Sequence, residues 1–173
     1  MDIRYPIGKF AWTAGNTREQ RTSAIEEIAK TPSLLCASLA GFSEAQLDTA
    51  YRDGGWTVRQ VVHHLPDSHM NSYIRIKFAL TENQPTIKPY DEVTWANLVD
   101  AKSAPIEPSL KLLDGLHTRW ELLLRSLSET DVRRGFIHPE HGTLTVDQYI
   151  SLCAWHGKHH VAHITALRAR NGW

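Results

Sequence analysis

Apolar residues recur along this chain at spacings of three and four, the pattern of helices that bury one face. Ile25, Ile28, Leu34, Leu35 and Leu39 mark a first helix over about residues 16–40, with Pro32 placed to kink or divide it. A helical turn over 43–49 and the turn Asp53-Gly54-Gly55 follow, with Asp53 read as its cap. Thr57 and Gln60 then form a T-x-x-Q capping box, in which each side chain reaches the other residue's free amide. Val58, Val61, Val62, Leu65, Ser72, Tyr73, Ile76 and Leu80 continue this second helix, and Pro66 within it predicts a bend beside His64. Pro85, Pro89, Pro105 and Pro108 make 81–108 a long connection, with one short helix over 91–100 that tucks Trp95 and Leu98 inward. A third helix over about 109–127 places Leu112, Leu113, Leu116, Trp120, Leu123, Leu124 and Leu127 on its apolar side. Residues 133–143 read as a turn or hairpin. A second capping box, Thr145 to Gln148, opens a fourth helix that runs through Val146, Tyr149, Ile150, Cys153, Ile164 and Leu167. The fold class this predicts is all-α: a four-helix bundle with a long connection between the second and third helices, residues 1–173 forming a single domain.

Bulk properties narrow the partners. Nineteen basic residues balance nineteen acidic ones with no basic cluster, which argues against nucleic acid. Apolar runs are too short to span a bilayer, and the opening MDIRYPIGKF lacks the apolar core of a secretory signal, so no membrane partner is expected. Cys36 and Cys153 do not form a C-x-x-C pair and suit a reducing cytoplasm.

The chemistry lies in the histidines. Of ten, His63, His64 and His69 share one window, and His156, His159, His160 and His163 share another. A helix turns about 100° per residue, so relative to an apolar face centred on Leu65, His69 lies about 40° away and is buried. His64 lies about 100° away, at the core's edge, and His63 about 160° away, toward solvent. On the fourth helix, centred on Cys153, His160 and His156 lie within about 20° and 60° of the core direction, whereas His163 and His159 lie about 80° and 120° away. The i, i+4 pair His156/His160 therefore faces inward, and His64 supplies a third imidazole from the other helix. Neutral imidazole is a common ligand for divalent metals, and two buried imidazoles side by side need partners that a cation supplies. His69 and His117 read as hydrogen-bonded core residues, and Cys153 as a core cysteine.

The run YRDGGWTVRQVVHHLPDSHMNSYIRIK, with WHGKHHVAHI near the C-terminus, resembles the YfiT-type metal-dependent hydrolases of the DinB superfamily. The likeness extends from YPIGKF through PYDEVTW, LHTRW and LLRSL to the final NGW. It implies a commonly dimeric four-helix bundle holding one divalent metal per chain on three histidines, here His64, His156 and His160. Pro66 departs from the family pattern and bears on the local shape of the second helix. Zinc is the first expectation for the ion and nickel the alternative.

Three functions follow. The first is a hydrolase whose metal activates water against a small-molecule substrate. The second, which the superfamily resemblance also implies, is S-transfer with a low-molecular-weight thiol such as bacillithiol, mycothiol or glutathione. The third is a non-catalytic metal-binding stress protein, closed by a fourth ligand from His159, His163 or Cys153. No general base stands out: Asp67 points away from the core and reads as a solvated carboxylate. Arg59, Arg75 and Arg119 could recognise an anion, but each reads first as an ordinary ion pair.

Overall fold

Most helix starts in this chain are written as hydrogen bonds within single turns. The computed structural model of the protein describes residues 2–173. Reciprocal capping boxes open four helices: α1 (Arg18–Ser38) at Thr17, α2 (Glu44–Leu47) at Ser43, α3 (Val58–Thr81) at Thr57 and α7 (Val146–Asn171) at Thr145. Between α3 and α6 (Glu107–Arg125) runs the long connection, carrying α4 (Glu92–Ala96) and α5 (Val99–Lys102). Pro108 lies in the first turn of α6, where its missing amide proton has no intrahelical partner to lose. A 3-10 turn, Asp131–Arg133, leads into an antiparallel hairpin of β1 (Gly135–His138) and β2 (Gly142–Thr145), with Phe136 facing Leu144. Four long helices and one small hairpin make this a four-helix bundle.

The single short helix expected over 91–100 is instead two. The chain is extended at Leu98, which is 51% exposed; Ala96 and Ala101 turn inward in its place. Leu34 and Leu112 are likewise exposed, because Leu35 and Leu113, each one residue or about 100° further round, occupy the core positions. Pro32 and Pro66 are buried, and neither interrupts its helix.

The core comes in two apolar clusters. One gathers Ile28, Ile76, Trp120, Phe136 and Ile150; the other gathers Leu35, Val61, Leu65, Leu113 and Ile164. Along each long helix the boundary between them falls at the same level, and on three of the four helices histidines stand there. On α3 His69 lies between Leu65 and Ile76, on α6 His117 lies between Leu113 and Trp120, and on α7 His156 and His160 lie between Ile150 and Ile164. A polar layer thus crosses the bundle's middle.

Helices α1 and α7 approach closely beside that layer. A Cβ built on Gly157 would lie 2.6 Å from Oγ1 of the buried Thr31 and 2.9 Å from its Cγ2. Thr31 is β-branched and stiff, so it yields little. Gly157→Ala is expected to cost about 1–3 kcal/mol in urea denaturation despite alanine's better helix propensity. In a Thr31→Ala background that cost should shrink or change sign, since the obstruction is gone.

Candidate metal centre

The capping boxes at Thr57 and Thr145 set where α3 and α7 begin, and therefore which side chains meet. Nε2 of His156 lies 3.2 Å from Nε2 of His64 and 3.2 Å from Nε2 of His160. One ligand atom from each of the three residues lies within 4.8 Å of the others. Zinc–nitrogen bonds of about 2.0–2.1 Å at tetrahedral angles would set neighbouring ligand nitrogens about 3.3 Å apart, which this spacing matches. No further His, Cys, Asp or Glu joins the set among the described residues.

Proton positions follow from one backbone carbonyl. The oxygen of Ile28, on α1, can only accept, so Nδ1 of His117 donates to it at 2.7 Å. Neutral His117 leaves its Nε2 bare, and Nδ1 of His69 donates there at 2.8 Å. Neutral His69 in turn accepts at Nε2 from Nδ1 of His156, 3.0 Å away. His156 is left with a bare Nε2 directed at His64 and His160. Burial keeps the set uncharged: it pushes His117 and His64 down to about 4, and His69, His156 and His160 well below the usual imidazole range. The single lone pair on Nε2 of His156 cannot serve two imidazole donors at once, whereas a cation would receive a lone pair from each ring. The donor set therefore fits a divalent ion.

A hollow of about 340 Å³ opens onto the three histidines, bounded in part by Trp56, Tyr90, Glu92 and Trp155. A second hollow of about 210 Å³ adjoins it and shares Ser68, Tyr90, Glu92 and His156. The indole of Trp56 packs over His64 at 4.6 Å.

Of the other sequence expectations, the core Cys153 and the ion-paired Arg59 hold, and several histidines and Asp67 change in three dimensions. His63 is buried, since the end of the long connection and the start of α6 cover its face: Nε2 donates to the Ala104 carbonyl at 3.2 Å and Nδ1 accepts from the Ser109 hydroxyl of α6 at 2.7 Å. His159 and His163 are buried too, under the N-terminal arm. His159 stacks on Trp155, while His163 stacks on Tyr51 and donates to the Arg4 carbonyl. Asp67 is half-buried, and burial, reinforced by Asp100, pushes its carboxyl up to about 6. Cys153 is a buried thiol that desolvation pushes up to about 12. Arg59 closes onto Glu44 and Asp48, and Arg119 lies over the Tyr73 ring. Glu92 and Tyr90 were not singled out by sequence, because no spacing reveals that the connection folds back to the hollows beside α3 and α7. A second cluster, His138, Glu140 and His141, stands at the turn of the hairpin expected over 133–143.

The family model described as the DinB superfamily matches residues 27–164. A relative from Oceanobacillus iheyensis is 53% identical over 173 residues, all of both chains, and is named "putative metal-dependent hydrolase". The chain belongs to the DinB superfamily. A Bacillus mycoides relative of the same name is 53% identical over 172 residues, 99% of each chain. Among solved structures, YfiT from Bacillus subtilis superposes with a TM-score of 0.97 at 48% identity, covering 100% of this chain and 99% of its own. It is described as "a probable metal-dependent hydrolase with an unusual four-helix bundle topology". The four-helix bundle protein TT2238 shares the fold at a TM-score of 0.58 and 20% identity, covering 86% of this chain and 98% of its own. Among the described residues of this DinB chain no helix is long and apolar enough to cross a membrane.

The neutral histidine layer has a pH signature. Folding lowers these imidazole pKa values, so between about 6.5 and 4 the unfolded chain binds more protons than the folded one. Stability is then fully present above pH 6.5 and is lost as the pH falls through that window. His117 alone contributes about 3 kcal/mol of this. Urea denaturation of chelator-treated protein should show the loss; a midpoint unchanged from pH 7 to about 4.5 would contradict the neutral layer.

Proposed function

We propose that this protein is a metal-dependent hydrolase of small molecules, with His64, His156 and His160 holding one divalent ion, zinc before nickel. What carries the reading is the meeting of three neutral imidazoles beside a hollow, with no fourth donor to close the set among the described residues. Catalytic zinc sites commonly have three protein ligands and one open position, whereas structural sites are filled by four. This favours an enzyme over a closed metal-storing scaffold. The hydrolase names of close relatives agree with it.

A divalent ion held there would supply Lewis acidity and bring a coordinated water's pKa toward neutrality. The chain's own groups do the rest. His117 and His69 hold His156 in one tautomer and one orientation. Trp56 and Trp155 wall the hollow against bulk water. Glu92, which borders both hollows, is the carboxylate we assign to take the proton of the attacking water and pass it to the leaving group. In the net reaction hydroxyl goes to the acyl carbon, the bond to nitrogen or oxygen breaks, and the proton leaves on the amine or alcohol. The free cysteines Cys36 and Cys153 suit the cytoplasm. A homodimer is the assembly the family resemblance implies.

The second hollow also suits thiol transfer, since it offers room beside the ion for a peptide-like thiol. Assays with and without added thiol decide: turnover in thiol-free buffer supports hydrolysis, and an absolute thiol requirement supports transfer. Elemental analysis of untagged protein should find one divalent ion per chain, and His160→Ala should lose most of it. Stoichiometric metal in that variant would overturn the ligand set. Glu92→Gln should keep its metal and lose about 10²–10⁴-fold in kcat, and an unchanged kcat would remove Glu92 from the reaction.

A further inference from the structure

Arg75 is the one Arg or Lys that lines either hollow among the described residues. It stands 11 residues beyond His64 on α3, about 16 Å along the axis, and helix side chains lean back toward the N-terminus. Arg75 is half-buried as a residue, and its guanidinium pairs with no carboxylate among the described residues. Nη1 donates to the Tyr149 hydroxyl at 2.9 Å and Nη2 to the Lys88 carbonyl at 3.1 Å, both neutral acceptors. A guanidinium carries five N–H groups, so three are left without a protein partner among the described residues. Tyr149 is itself steadied by Ser72, whose hydroxyl lies 3.2 Å from its own. The cation is thus held in place with its charge unanswered, in a hollow that meets the candidate metal site at His156. Glu92 and Glu140 border the same hollow, but both are exposed and neither pairs with Arg75.

An oriented guanidinium with free donors is suited to a planar oxyanion, which it can grip with two parallel hydrogen bonds. We propose that the second hollow recognises a carboxylate on the substrate, with Arg75 as its anchor. The substrate class is then a small amide or ester with a free carboxylate remote from the scissile bond. This rests on the metal reading of His64, His156 and His160, because it makes the hollow at the three histidines the reaction end and the hollow at Arg75 the recognition end.

The test uses hydroxamates, whose head group binds a catalytic metal, in pairs that end in either a carboxylate or the uncharged primary amide, across short, medium and long spacers. Binding to zinc-loaded protein is read by calorimetry. At one spacer length the carboxylate is expected to bind at least about 10-fold tighter than its amide twin. Arg75→Gln should reduce that advantage to less than about 2-fold and leave amide-probe affinity unchanged, which also shows that the variant folds. Arg75→Lys, keeping the charge without the fork, should retain only part of it. Equal binding of the twins at every spacer, or an advantage that survives Arg75→Gln, overturns the Arg75 assignment and leaves the metal reading standing. A phosphonate-tailed probe that outbinds the carboxylate overturns the substrate class. Failure of both twins to bind zinc-loaded protein overturns the metal reading and this inference together.

Discussion

One line of hydrogen bonds ties all four long helices together. It starts at the Ile28 carbonyl on α1, passes through His117 on α6 and His69 on α3, and ends on His156 of α7. The first two links are buried and the third half-buried, and an unpaired imidazole nitrogen along the line would cost the desolvation that its hydrogen bond now offsets. The line also has a direction. Because a carbonyl cannot donate, every proton along it points toward α1, and the last ring turns its bare nitrogen toward His64 and His160. The backbone of one helix thereby decides the protonation of a side chain on another.

That direction divides the histidines into an inner set and an outer set. The inner set, His69 and His117, has its hydrogen bonds complete within the protein. The outer set, His64, His156 and His160, is left with nitrogens crowded at a common point beside open space. Two apolar clusters, one on each side, keep this layer dry and neutral. The long connection then roofs it: Tyr90 and Glu92 come to the rim, while Ala104, together with Ser109 of α6, covers His63. Rigid rings below and a roof of short helices above leave two adjoining hollows with different chemistry, nitrogen donors in one and an unanswered cation in the other.

Much of this was legible in local patterns. T-x-x-Q at Thr57 and Thr145 marks helix starts wherever it stands, because both hydrogen bonds close within one turn. Given those starts, a period of 3.6 placed His64, His156 and His160 toward one another, and the structure brings the same three together. Misreadings arose where distant chain covers a face. His63, His159 and His163 point away from the centres of their helices' apolar faces, yet they are buried, by the connection in one case and by the N-terminal arm in the other two. The same limit applies to Arg59 and Arg75. Both read first as ion-pair arginines, and only one of them has carboxylate partners.

The sequence by itself determined the four long helices, the capping-box starts at Thr57 and Thr145, the inward histidine pair and the superfamily, since each of these depends on residues within a few turns or on motifs readable along the chain. Tertiary structure alone decided the tautomer of His156, the roles of Glu92 and Arg75 as bordering groups, and the shape of the space they enclose. Hydrogen bonds through Ile28, His117 and His69 join positions tens of residues apart, and burial depends on what folds over a face rather than on the face. Periodicity describes a helix as a cylinder, while protonation and charge balance depend on the neighbours that surround it.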